Sequence, residues 1–213
     1  MRGLVGIACL GFLLASIAAT AGPLMNGSFE EPVLPADGRY DNTVPTGWTV
    51  YTDQTCNPQM LRYASGTALV PDGVQYAQIQ TLAGVAGTYA GFYQTFDVVP
   101  GAPYIISGWF RPLSGTSVAR VGIDLSGGTT RPSEWGAMLD GAVSQVWTEF
   151  SFETTATGPA MTIFLDHTQT GTKSGRATAF DGIRVTVVPE PSGLVTVFGS
   201  FAGLLGLGLR RRK

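Results

Sequence analysis

The sequence predicts an all-β fold, a two-sheet antiparallel β-sandwich, and three observations carry that expectation. Between residues 22 and 188, apolar and polar residues alternate in short runs, the period of a strand with one face buried. Gly, Pro, Asn and Asp punctuate those runs, as they do in sandwiches and barrels. No stretch there competes as a helix, which argues against βαβ units and a parallel sheet.

The chain opens on Met1-Arg2, continues through an apolar region from Leu4 to Ala18, and reaches Ala19-Thr20-Ala21. A basic start, a short apolar stretch and a small-x-small site make a secretory signal peptide over residues 1–21. Cutting after Ala21 leaves Gly22 as the first mature residue, and Cys9 is filler within the leader. Residues 22–188 are 167 in number, enough for one domain with a sizeable core.

Within that domain Phe92, Gln94, Phe96 and Val98 share one face of a strand, and Tyr93, Thr95 and Asp97 the other. Tyr104, Ile106, Gly108 and Phe110 then alternate with Ile105, Ser107, Trp109 and Arg111. Val121, Ile123 and Leu125 alternate with Arg120, Gly122 and Asp124. Residues 146–154, 160–167 and 178–188 continue the rhythm, with Phe150, Phe152, Met161, Ile163, Leu165, Ile183, Val185 and Val187 as core candidates. Eight to ten strands in two sheets are expected.

Residues 22–188 carry eight Lys and Arg against fourteen Asp and Glu, a net charge near −6, which does not suit nucleic acid. Cys56 is the one cysteine there, so no internal disulfide is expected, and it reads as a buried or incidental thiol. His167 is the one histidine; beside Asp166 at a strand end, it reads as a partly exposed structural residue. An acyl-transfer triad needs a histidine or an equivalent base near a nucleophile; the lone His167 reads as structural, and residues 22–188 hold no Gly-x-Ser-x-Gly elbow. Gly127-Gly128 precedes neither Lys-Ser/Thr nor a helix, so it is turn chemistry rather than a phosphate loop.

The last twenty-five residues are a separate device, residues 189–213. Pro189-Glu190-Pro191 precedes seventeen residues without a charge, 193–209, the short limit for a transmembrane helix. The basic tail Arg210 to Lys213 places the preceding domain outside the cytoplasm. Motif, span and basic stop together resemble the PEP-CTERM sorting signal of Gram-negative bacteria that make exopolysaccharide. That resemblance implies processing near the motif by exosortase, an integral-membrane transpeptidase. It also implies a transient stay in the inner membrane and a final place outside the cell or on its surface.

A second resemblance covers the mature domain. Asn26-Gly27-Ser28-Phe29-Glu30, Gly47-Trp48, Tyr93-Gln94 leading to Pro100-Gly101, Trp147 and Phe180-Asp181-Gly182-Ile183 together look like a galactose-binding-like jelly roll, a superfamily with many carbohydrate-binding modules. In many members the first and last strands lie together beside a structural calcium. The matching residues here are Glu30 and Asp181, with Asn26 and Ser28 able to add oxygens of the kind calcium accepts.

Sugar recognition needs aromatic faces and a few polar groups. Trp109 and Arg111 share one strand face, Arg120 and Asp124 another, and Glu149 accompanies Trp147. Trp135 follows the loop-like segment 126–134 and is the best-placed candidate for an exposed platform. Trp48, Trp109 and Trp147 also read as packing residues at the sandwich edges. The function expected is a non-catalytic, exported β-sandwich that contacts polysaccharide as a binding or matrix component. Two alternatives stand beside it: a purely structural surface protein, and a carbohydrate-active hydrolase using Asp124 with Glu134 or Glu149 as its carboxylate pair.

Overall fold

The computed structural model describes residues 24–35, 40–53, 56–62, 70–141 and 145–189. The signal peptide and everything beyond Pro189, including Glu190, Pro191 and the apolar span, lie outside the described residues. Among the described residues there are eleven strands: β1 (Tyr40–Asp41), β2 (Thr49–Thr52), β3 (Cys56–Arg62), β4 (Gln75–Thr81), β5 (Tyr89–Asp97), β6 (Pro103–Pro112), β7 (Ser117–Asp124), β8 (Ala137–Asp140), β9 (Thr148–Thr155), β10 (Ala160–Gln169) and β11 (Ala177–Val187). That exceeds the eight to ten expected, because β1, β2 and β8 are too short to show a period and β4 alternates little.

The strands form a six-stranded sheet ordered β1-β3-β4-β11-β6-β9 and a five-stranded sheet ordered β2-β5-β10-β7-β8. All pairings are antiparallel. Tyr104, Ile106, Phe110, Phe150, Phe180 and Ile183 of the larger sheet meet Phe92, Phe96, Val121, Met161, Ile163 and Leu165 of the smaller in one core. Removing each such side chain from water contributes roughly 1.5–3 kcal/mol. Val187, expected in this core, is about half exposed, because β11 runs past the cover of the opposite sheet at its end. Cys56 is buried.

The N-terminal motif does lie against the last strand. β11 leaves register with β6 between Asp181 and Arg184, and the Ile183 amide freed by that bulge donates to the Gly27 carbonyl at 2.8 Å. Gln75 fixes the segment that follows: its side-chain amide donates to the Phe29 and Pro32 carbonyls and its oxygen accepts from the Leu34 amide. Phe29 then packs on Trp48, ring centroids 5.2 Å apart, with the indole N–H donating to the Asn26 carbonyl.

His167 is not partly exposed, as its strand-end position suggested, but fully buried. The strand runs on two residues further, and position 167 falls on its inward face. The imidazole Nε2 lies 2.8 Å from the Thr81 hydroxyl, while Nδ1 is buried with no hydrogen-bond partner among the described residues. Burial lowers its pKa to about 4, against a smaller opposing pull from Asp53. The unfolded chain therefore takes a proton near pH 6.5 that the folded one refuses until about pH 4. This contribution to stability, at most about 3 kcal/mol, should be whole above pH 6.5 and be lost as pH falls towards 4. Urea titrations at pH 7.5, 5.5 and 4.5 on the parent and on His167→Gln check it. A pH slope identical in both proteins would rule it out.

Candidate functional site

The outer face of the five-stranded sheet holds the most organised group of polar and aromatic side chains. Cross-strand register places Tyr51, Gly91, Asp166 and Arg120 in one row across β2, β5, β10 and β7. The row beside it runs Tyr93, Phe164, Gly122. Gly91 is required here: a Cβ would strike the Tyr51 hydroxyl, which crosses over it to reach Asp166. Gly122 serves a second approach, since a Cβ there would lie 2.8 Å from Pro132 Cγ and 2.9 Å from the Trp135 ring. The connection between β7 and β8 therefore folds down onto the sheet.

That connection brings in Arg131. Its Nε donates to Asp166 Oδ2 at 2.6 Å and its Nη2 to Asp166 Oδ1 at 3.0 Å, a two-pronged ion pair. The Tyr51 hydroxyl donates to Oδ2 at 2.9 Å and the Thr168 hydroxyl to Oδ1 at 2.7 Å, so the fully buried carboxylate accepts four hydrogen bonds. Thr168 in turn accepts from Arg131 Nη2 at 3.0 Å. Burial, and then the neighbouring Asp166 charge, push the Tyr51 phenol well above its ordinary pKa, which keeps it a donor. Half-burial works against the Arg131 charge, but the contacts to Asp166 outweigh it and raise its pKa.

Aromatic rings surround this pair. The Arg131 guanidinium lies 4.2 Å from the Tyr89 ring centroid and 5.0 Å from that of Trp135, and the Arg120 guanidinium lies 5.6 Å from Trp135. Tyr93 stacks on the buried Phe164 at 5.7 Å, and Tyr51 meets Phe164 edge-on at 5.9 Å. Tyr51, Tyr89 and Tyr93 are only half-buried, so one edge of the cluster faces solvent.

The residues put forward from sequence divide between opposite faces. Trp135 joins the cluster just described, although its ring is partly covered by two guanidiniums rather than standing free. It also lines a pocket of about 240 Å³ at the open edge of the sandwich, with Ile123, Leu125, Glu134, Phe152 and Glu153. Asp124 holds a turn: its Oδ1 accepts from the Ser126 amide and hydroxyl and from the Gly128 amide, and these bonds lower its pKa. Trp109, Arg111 and Glu149 lie on the six-stranded sheet, Trp109 opposite Glu149. Arg111 donates to the Gln145 carbonyl and shares a second pocket, about 300 Å³, with Val146 and Trp147. Trp147 meets Tyr76 edge-on at 5.4 Å. Sequence reasoning passed over Tyr51, Tyr89, Arg131 and Asp166 as site residues. One signal was present, a carboxylate inside the apolar run of β10, which must find a partner when buried.

On the six-stranded sheet, Asp181 is fully buried beside Trp109 and accepts from the Asp72 amide at 2.8 Å and its neighbour Gly182 at 2.7 Å. Burial, reinforced by the charges of Asp72 and Glu30, pushes its pKa up to about 8 despite those bonds. Glu30 Oε1 accepts from the Val74 and Gln75 amides, so the segment before β4 is wrapped round it. The Asn26 side chain is occupied in its own turn, with the Glu31 amide and the Glu31 and Thr46 carbonyls. Ser28, one residue before Phe29, is half-buried in that turn.

No protein-family model matches this chain, and no curated protein matches it. Solved structures do. A Stig cyclase, FisC from Fischerella sp. TAU in complex with (3Z)-3-(1-methyl-2-pyrrolidinylidene)-3H-indole, is similar at 20% identity and a TM-score of 0.62, over 80% of this chain and 98% of that one. TmCBM61 in complex with β-1,4-galactotriose is similar at 14% identity and a TM-score of 0.51, over 78% and 99%. The likeness is one of fold. It joins this chain to β-sandwiches whose own ligands differ widely, one an indole compound and one a galactan fragment.

Changing Asp166 to Asn puts an amide N–H where Arg131, Tyr51 and Thr168 all donate. The variant should lose about 2–4 kcal/mol in urea unfolding and show faster amide exchange in residues 125–136. Unchanged stability and exchange would show that the pair does not hold that connection to the sheet.

Proposed function

We propose that this chain is an exported, non-catalytic β-sandwich that binds polysaccharide on the outer face of its five-stranded sheet. One observation carries the reading: half-buried Tyr51, Tyr89, Tyr93 and Trp135 cluster on one face around a charged pair whose geometry is already fixed. Aromatic rings cover the C–H faces of sugars, and groups held rigid before binding lose little entropy on binding. The similarity in fold to a galactotriose-bound module supports the same reading.

The export route belongs to the proposal. The leader directs secretion, and the Pro189-Glu190-Pro191 tail engages exosortase at the inner membrane of a Gram-negative cell before the protein reaches the surface. The test of function is a glycan array that includes bacterial exopolysaccharide, probed with the full chain and with Tyr93→Ala and Trp135→Ala. Saturable binding to one glycan class, weakened at least about tenfold in both variants, is expected. Binding to no glycan would leave a structural surface protein as the better description.

A structural calcium is the second element proposed. Among the described residues no three His, Cys, Asp or Glu side chains gather closely enough to hold a metal by themselves. An ion would therefore use Glu30 and Asp181 with backbone carbonyls, a mixed oxygen set that calcium accepts. The donor chemistry fits, because the buried Asp181 carboxyl sits near Asp72 and Glu30 with backbone N–H groups as its hydrogen-bond partners. Bound there, calcium would add to the positive charge that Arg184 already brings to Asp72 and tie the N-terminal motif to β11. Millimolar calcium should raise the melting temperature by roughly 5 °C over EDTA, and Asp181→Asn should abolish that difference. Equal melting temperatures in calcium and EDTA, with no calcium found by metal analysis, would remove the ion from the account.

A further inference from the structure

The charge on the aromatic face does not balance. Two guanidiniums, Arg120 and Arg131, pack on Trp135, and Arg131 is neutralised by Asp166. Arg120 faces the same Asp166 across the β7–β10 register, yet that carboxylate already accepts four hydrogen bonds from Arg131, Tyr51 and Thr168. Asp124, the next outward acidic residue on β7, is occupied by Ser126 and Gly128. Glu134, next to Trp135 in the chain, lines the edge pocket with Ile123, Leu125 and Phe152. Arg120 makes no ion pair among the described residues, and its Nε is buried without a hydrogen-bond partner there. A half-buried, unpaired cation thus sits on an aromatic face in a domain whose net charge is near −6.

An arginine packed on an indole is partly positioned before a ligand arrives, and its fork of N–H donors matches a carboxylate. We propose that Arg120 receives the carboxylate of an acidic sugar, so that this face selects uronic-acid polysaccharide over neutral polysaccharide. The inference rests on the carbohydrate reading of the face and adds the charge of the ligand to it. Half-buried Tyr51 and Tyr93, backed by the buried Phe164, would cover the apolar side of a sugar ring while Arg120 takes its acid group. A neutral sugar would leave the cation as it is, unpaired.

The test compares polygalacturonic acid with its methyl ester, the same chain with the charge removed, by calorimetric titration of the full chain at 50 and 300 mM salt. The free acid should bind tighter by tenfold to a hundredfold, the range of a charge-assisted hydrogen bond, with the advantage shrinking in high salt. Arg120→Gln should erase that preference, acid and ester then binding alike, and Arg120→Lys should restore only part of it. Equal binding of acid and ester overturns this inference and leaves the carbohydrate reading standing. Binding of neither overturns both. Poly-glutamate bound as tightly as the free acid would also overturn it, since charge without a sugar would then suffice.

Discussion

The outer face of the smaller sheet depends on one buried carboxylate. Asp166 lies in the central strand of that sheet with no exposure, where an uncompensated charge would be strongly destabilising. Four hydrogen bonds from three side chains make it tolerable, and each donor is drawn from a different place: β2, the connection before β8, and β10 itself. Satisfying one group therefore ties an edge strand and a long connection to the middle of the sheet. The rings that line the face are positioned as a consequence, because Arg131 is stacked between Tyr89 and Trp135 while it reaches down to Asp166.

The two sheets handle acidic groups in different ways. On the smaller sheet, Asp166 meets a guanidinium within the chain. On the larger, Asp181 meets only backbone N–H groups, and burial first, then the charges of Asp72 and Glu30, raise its proton affinity against those bonds. The first arrangement is complete in itself. In the second, the bulge in β11 that turns Ile183 towards Gly27 brings the N-terminal motif beside the buried acid.

Glycine makes the outer face of the smaller sheet possible by being absent as a side chain. At Gly91 and Gly122 the sheet surface has hollows into which Tyr51 and the Pro132–Trp135 segment settle. A strand buried on both faces results: every residue of β10 after Ala160 is buried, although its sheet has only one neighbour layer in the core. Aromatic covering of the outer face by side chains of the same sheet and one folded-back connection takes the place of a third layer.

Much of this could be read from sequence. Strict alternation in β5, β6 and β7 named Phe92, Phe96, Tyr104, Ile106, Phe110 and Val121 as inward residues, because side chains on a strand must alternate whatever the rest of the chain does. The same rule misled at Val187, since alternation states which side a residue faces and not where the opposing sheet ends; at His167 it was the supposed strand end that misled, for alternation from Ile163 and Leu165 points it inward. Trp135, which the structure places against the outer face of the smaller sheet, was singled out from its loop composition. Its partners were not: Tyr51, Arg131 and Asp166 are separated by 80 and 35 residues, and nothing local links them. The candidates from Trp109 to Glu149 looked equivalent to Asp124 in sequence, yet they lie on opposite faces of the molecule. The sequence by itself determined an all-β chain with a defined inward set of residues, because that follows from local period and turn chemistry. Only the tertiary structure decided which polar residues meet, because strand order, register and the fall of one connection onto a glycine are set by packing across the whole chain.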